Sequence, residues 1–137
     1  MKTGVSDNLI LVDTSVWIEY FQKKVDVVER VNALMDEGRV VCLGLIIAEL
    51  IQGAKDDSGI EAFKDFLNVF PVIKEKDDTW EKAGRLSYRL RKKGKITGLA
   101  DCYISTMAQE NGMEIYTFDH HFKTIALECP LKLTVDK

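Results

Sequence analysis

The sequence predicts an α/β fold, a parallel sheet with helices on both faces. Short apolar runs alternate with longer segments of helical spacing, the pattern of strand–helix–strand units. The first run, Leu9-Ile10-Leu11-Val12, is apolar at every position, as suits a strand covered on both sides. The 137 residues fall within the size of one domain and show no internal repeat or linker-like segment, so a single domain over residues 1–137 is expected. A chain of that length buries about two thirds of the surface its unfolded form exposes, and needs no disulfide or metal staple.

In chain order, Leu9 to Val12 is the first strand, and Asp13-Thr14-Ser15 supplies N-cap chemistry for a helix from Ser15 to Gln22. Val27, Val28, Val31, Leu34 and Met35 recur at helical spacing in a second helix, Val25 to Glu37, which Gly38 stops. Val40 to Leu43 is the second strand, followed by helices from Leu45 to Gln52 and from Ile60 to Leu67. Val69 to Ile73 reads as a third strand, and its internal Pro71 places it at an edge. Asp77-Asp78-Thr79 opens a long helix closed at Gly94, and Leu99 to Asn111 is another, closed by Gly112. Glu114 to Phe118 is the fourth strand, His121 to Ala126 a short helix, and Leu131 to Val135 the fifth strand. If the strand order is 3-2-1-4-5, the first and fourth strands are neighbours where the order reverses, and ligands bind beyond the carboxyl ends of strands at that point. Asp13 and Asp119 would meet there.

Nineteen Lys and Arg against twenty-two Asp and Glu give a net charge of −3, which excludes a chain that binds nucleic acid through bulk positive charge. It does not exclude nucleic acid as a substrate. No apolar run is long enough to span a bilayer, since Val40 to Ala48 is broken by Gly44 and ended by Glu49. No signal-peptide pattern precedes Leu9. Cys42, Cys102 and Cys129 are an odd, widely spaced set without a CxxC pair, which fits reduced thiols and a cytoplasmic location.

Four acids stand among apolar neighbours: Asp13, Glu49, Asp101 and Asp119. Each has an ordinary reading. Asp13 and Asp119 sit where an N-cap is needed, Asp101 complements the dipole of its helix, and Glu49 can face solvent. Together they imply something else. Carboxylates 4 Å apart repel by about 4 kcal/mol at an effective dielectric of 20, so a cluster persists only with protons or cations. Oxygen ligands select hard ions, of which Mg²⁺ or Mn²⁺ suits phosphoryl chemistry. There is no P-loop and hence no sign of a nucleoside triphosphate fuel. A receiver domain would need a second acid beside Asp13 and an acceptor Asp after Ile73. A haloacid-dehalogenase phosphatase would need the second Asp of DxDx[TV]. Neither is present.

The segment Leu11-Val12-Asp13-Thr14-Ser15-Val16-Trp17-Ile18-Glu19-Tyr20-Phe21 resembles the opening of a PIN domain, in particular of the VapC ribonuclease toxins. Ala48-Glu49-Leu50 with Gly53, Gly98-Leu99-Ala100-Asp101-Cys102-Tyr103-Ile104 and Thr117-Phe118-Asp119-His120-His121-Phe122 resemble the family's second, third and fourth motifs, in family order. The resemblance implies a Rossmann-like three-layer α/β/α fold and an endoribonuclease dependent on Mg²⁺ or Mn²⁺, with Asp13, Glu49, Asp101 and Asp119 as metal-binding acids. Thr14 or Ser15, and Thr117, would orient ligands or waters through their hydroxyls. It further implies RNA products with 5′-phosphate and 3′-hydroxyl ends, a homodimer, and a VapB-type antitoxin seated in a groove to which Trp17 and Phe21 would contribute, unless those two are ordinary core. The alternatives are a housekeeping PIN nuclease and a PIN domain that only binds RNA or a partner.

Arg85, Arg89, Arg91, Lys92, Lys93 and Lys95 form a basic run with no acid between Lys82 and Ala100. It is either a solvated helix end or a phosphate track leading to the Asp101 segment. His120 and His121 are adjacent, the wrong spacing for two ligands on one helix face, and read as surface or packing residues. Cys102 lacks a partnered His and reads as a buried structural thiol.

Overall fold

Ile10–Val12 forms β1, and all three side chains are buried. Successive side chains of a strand point to opposite faces, so both faces of the sheet are covered at this point. The structure is a computed structural model that describes residues 8–135; residues 1–7 and 136–137 of the expected domain lie outside the described residues. The elements follow as α1 (Thr14–Phe21), α2 (Val25–Asp36), β2 (Val40–Val41), α3 (Gly44–Gln52), α4 (Asp57–Leu67), α5 (Thr79–Lys92), α6 (Leu99–Asn111), β3 (Glu114–Thr117), α7 (His121–Ile125) and β4 (Lys132–Val135). The sheet order is β2-β1-β3-β4 and every pairing is parallel.

Among the described residues, four strands stand where five were expected. The segment Val69 to Ile73 reduces to one parallel bridge, Val72 with Cys42, outside β2. It lies at the predicted edge, so the order of chain segments is as expected. Two hydrogen bonds hold it: the Cys42 amide donates to the Pro71 carbonyl and the Ile73 amide to the Cys42 carbonyl, both at 2.9 Å. Pro71 has no N–H to extend the ladder, β2 offers only two residues, and Val69 is exposed. A strand so placed cannot lengthen.

The helix ends follow their local chemistry. Gly112 closes α6 in the left-handed conformation at φ +63°, and the Met113 amide returns to the Ala108 carbonyl. Gly94 does the same after α5 at φ +78°, with the Lys95 amide on the Leu90 carbonyl. Helix α4 begins three residues earlier than its apolar pattern indicated, because the Asp56 carboxylate caps the Gly59 amide at 2.8 Å. Helix α6 is the central helix: every residue from Cys102 to Ala108 is buried, and α5 and α7 pack against it. Cys42, Cys102 and Cys129 are all buried and unbridged. Among the described residues, no helix is long and apolar enough to cross a membrane.

Candidate active site: an acidic crevice beyond the sheet

The register of β1 on β3 pairs Val12 with Tyr116, and the Asp13 amide extends the ladder to the Tyr116 carbonyl at 2.9 Å. Asp13 and Thr117 therefore leave the sheet side by side, at the reversal of strand order. Asp13 occupies the N-cap position of α1 but its side chain makes no capping bond. Its Oδ2 instead accepts from Ser15 Oγ and from Thr117 Oγ1, each at 2.8 Å. A hydroxyl has one proton. Both protons go to Asp13, so the 3.3 Å approach of Ser15 Oγ to Thr117 Oγ1 is left as a contact between two acceptors. Those acceptors are used: Ser15 Oγ takes the Phe118 amide at 3.0 Å and Thr117 Oγ1 the Asp119 amide at 2.9 Å. Asp13 is 6% exposed. A buried carboxylate needs such donors, and here the same two hydroxyls also hold the chain that carries Asp119.

The other acids reach the crevice from separate elements. Glu49, on α3, accepts from Thr14 Oγ1 at 2.7 Å, which ties the start of α1 to α3. Asp119 Oδ1 accepts from the His121 amide at 2.9 Å from one residue before the helix, while His120 occupies the N-cap position of α7 that the sequence gives to Asp119. Asp101 lies in the first turn of α6. Its carboxyl is pushed up to about 6, first by burial and then by the negative charges of Asp119, Asp13 and Glu49, with His121 acting in the opposite direction. All three other acids thus act on Asp101.

Ligand atoms of Asp101, Asp119 and His121 lie within 4.8 Å of one another. Asp13 and Glu49 flank this trio without belonging to it. Clustered carboxylates, one of them resisting ionisation, form a donor set that a divalent cation fits: bound charge would relieve the repulsion that burial aggravates. His121 is the member that sequence reading passed over. The spacing of the two histidines to each other carries no signal; the telling spacing is Asp119 to His121, which a turn brings together.

The basic run extends from the middle of α5 to the residues just past its end. Arg85 pairs with Glu81 at 2.9 Å, and Arg89 and Lys93 both reach Glu128. Arg91 and Lys92 flank the exposed Tyr88 ring at 5.7 and 6.0 Å from its centroid. Lys95 is half-buried just past the helix end. Further along α1, Trp17 is fully buried and meets Tyr20, Phe21, Phe66 and Phe70 at centroid distances of 5.4–5.9 Å. It is core, as its ordinary reading held. Phe21 is the surface member. It lines two depressions, one of about 510 Å³ with Tyr20, Val28 and Phe66, the other of about 470 Å³ that extends past Phe63 to Glu49.

Comparison with known proteins agrees with this architecture. The family model described as PIN domain matches residues 10–128. Ribonuclease VapC11 of Mycobacterium tuberculosis and a VapC ribonuclease of Mycobacterium bovis are each 31% identical over 123 residues, covering 86% of this chain and 92% of theirs. Among solved structures, VapBC-1 from nontypeable Haemophilus influenzae superposes with a TM-score of 0.74 at 22% identity, covering 93% of this chain and 97% of that one. VapBC2 from Rickettsia felis, bound to promoter DNA, gives 0.77 at 19%, covering 94% and 99%. The chain therefore belongs to the PIN domain family, within its VapC branch.

Proposed function

We propose that this protein is a metal-dependent endoribonuclease, the toxin of a VapBC-type toxin–antitoxin module, acting as a single domain in the cytoplasm. One observation carries the reading: acids from four separate segments of the chain gather beyond the sheet, with Asp101 and Asp119 ligand atoms within 4.8 Å and Asp13 tied to Thr117. Burial first, then the charges of Asp119, Asp13 and Glu49, push the Asp101 carboxyl up to about 6. Asp13, Glu49, Asp101 and Asp119 would hold Mg²⁺ or Mn²⁺. When bound, such an ion supplies an activated water and charge stabilisation for the leaving oxygen of an RNA phosphodiester. Ser15 and Thr117 fix the orientation of the Asp13 carboxylate, and Thr14 that of Glu49. Arg85, Arg89, Arg91, Lys92, Lys93 and Lys95 would guide the RNA backbone toward the crevice. The apolar depressions at Phe21, with Trp17 packed beneath, suit the VapB-type antitoxin, and their continuation to Glu49 would let it reach the acids. The exposed Ile96 and Leu99, just before Asp101, suit burial against a second copy in a homodimer.

Purified protein should cut total RNA into discrete fragments with Mg²⁺ or Mn²⁺ and not with EDTA, and Asp13→Asn should lower the rate at least ~100-fold. Clean wild-type protein that binds metal but leaves every RNA class intact would overturn the nuclease reading in favour of a binding domain.

A further inference from the structure

Beside the acids stands a nitrogen donor, His121, in the same segment as Asp119. His121 opens α7, and its side chain is 67% exposed, so packing does not account for its position. Three features hold it at the acids. Its amide donates to Asp119 Oδ1 at 2.9 Å. Its Nδ1 lies 3.2 Å from that same oxygen. The next residue, Phe122, is fully buried and anchors the backbone from which the imidazole projects. The result is that a ring nitrogen shares the 4.8 Å cluster with Asp101 and Asp119.

We propose that His121 is a direct metal ligand, so that the site is a mixed oxygen–nitrogen set selective for Mn²⁺ over Mg²⁺. The proposal rests on the nuclease reading above and specifies its ion. Mg²⁺ prefers oxygen donors and keeps its waters, whereas imidazole is a good ligand for later divalent metals and an acceptable one for Mn²⁺. Two Asp oxygens and one imidazole nitrogen therefore bind Mn²⁺ with less loss of preferred coordination than Mg²⁺. The 3.2 Å approach of Nδ1 to Asp119 Oδ1 places the ring beside the carboxylate with which it would share the ion.

The test is Mn²⁺ binding to the full chain, read by electron spin-echo modulation from ¹⁴N, with Mg²⁺ and Mn²⁺ affinities measured by calorimetry. Wild-type protein should show imidazole nitrogen coupled to bound Mn²⁺, and uniform ¹⁵N labelling should replace the ¹⁴N pattern. His121→Ala should abolish the coupling and lower Mn²⁺ affinity by about 10-fold or more, with a smaller loss for Mg²⁺. His120→Ala should retain the coupling. His121→Asp, which restores a donor as oxygen, should bind both ions without nitrogen coupling and with the Mn²⁺ preference reduced. Bound Mn²⁺ without nitrogen coupling in the wild type, or an unchanged ion preference in His121→Ala, would overturn this proposal and leave the nuclease reading standing. Wild-type protein that binds neither ion would overturn both.

Discussion

Helix α1 separates two regions that solve the same problem in opposite ways. At its start, Thr14 and Ser15 satisfy carboxylates through hydroxyl bonds of 2.7 and 2.8 Å. One turn later, Trp17, Tyr20 and Phe21 enter a cluster of rings held by shape, in which Trp17 Nε1 is buried without a hydrogen-bond partner. The acidic side is directional: each hydroxyl proton has one destination, and moving one group leaves another unsatisfied. The aromatic side is volumetric, and tolerates an unpaired indole N–H in exchange for packing. The two regions should respond to different kinds of substitution, by volume on one side and by polarity on the other.

The largest effect on stability is expected on the aromatic side. Trp17→Ala empties a fully buried site and should cost about 3–5 kcal/mol in denaturant unfolding, whereas Trp17→Phe, which discards the unpaired N–H, should cost much less. Equal losses would mean that the indole nitrogen is engaged after all. On the acidic side the near-isosteric Thr117→Val should be costly despite its unchanged volume. It removes a donor to Asp13 and the acceptor for the Asp119 amide, so a loss of about 1–3 kcal/mol is expected, with metal affinity reduced about 10-fold. A Thr117→Val variant as stable as wild type would erase the contrast between the two regions.

A subtler effect is set by Asp101, whose carboxyl rises from 3.8 to about 6 on folding in the metal-free protein. A raised acid favours the folded state in its protonated form. Its contribution is fully present below the unfolded value near 3.8 and is lost as pH rises through about 6. Asn keeps the shape and cannot ionise. In EDTA, Asp101→Asn should therefore melt above wild type at pH 7–8, and the gap should close as pH falls below about 4. Adding Mn²⁺ should reverse the order at pH 7 if Asp101 is a ligand as proposed, since a cation stabilises most the protein that binds it most tightly. Parallel melting curves at all pH values would show that Asp101 is not held in the repulsive cluster.

The contrast also explains what could be read in the sequence. Acids among apolar residues are exceptions to burial, so Asp13, Glu49, Asp101 and Asp119 stood out before any geometry was known, and the αL glycines marked the ends of α5 and α6. The third strand read correctly in place but not in extent: its apolar run was visible, whereas the two-residue length of β2 that limits its pairing was not. His121 escaped because its meaning lies in a turn that folds it back on Asp119, and an exposed histidine is unexceptional in a sequence. Trp17 and Phe21 share one apolar pattern, yet one is core and the other lines a surface depression. Helical periodicity shows which side faces inward, not where the protein ends on that side.

The smallest effect expected concerns the basic face of α5, where the contrast between engaged and available groups recurs in charge. Arg85, Arg89 and Lys93 are engaged by Glu81 and Glu128, whereas Arg91 and Lys92 lie beside the Tyr88 ring. Exposed ion pairs contribute about 0–1 kcal/mol, so the engaged cations can still turn to phosphate, but each gives up a partner in doing so. Arg91 and Lys92 give up only weak ring contacts. In an Asp13→Asn background, Arg91→Ala with Lys92→Ala should reduce the slope of log affinity for single-stranded RNA against log salt by about 1–1.5, uniformly across sequences. Arg89→Ala with Lys93→Ala should reduce it less, because Glu128 already offsets part of that charge. If both pairs change the slope equally, the ion pairs to Glu128 do not persist in solution. If neither does, the run is a solvated helix end, and RNA reaches the crevice along another face.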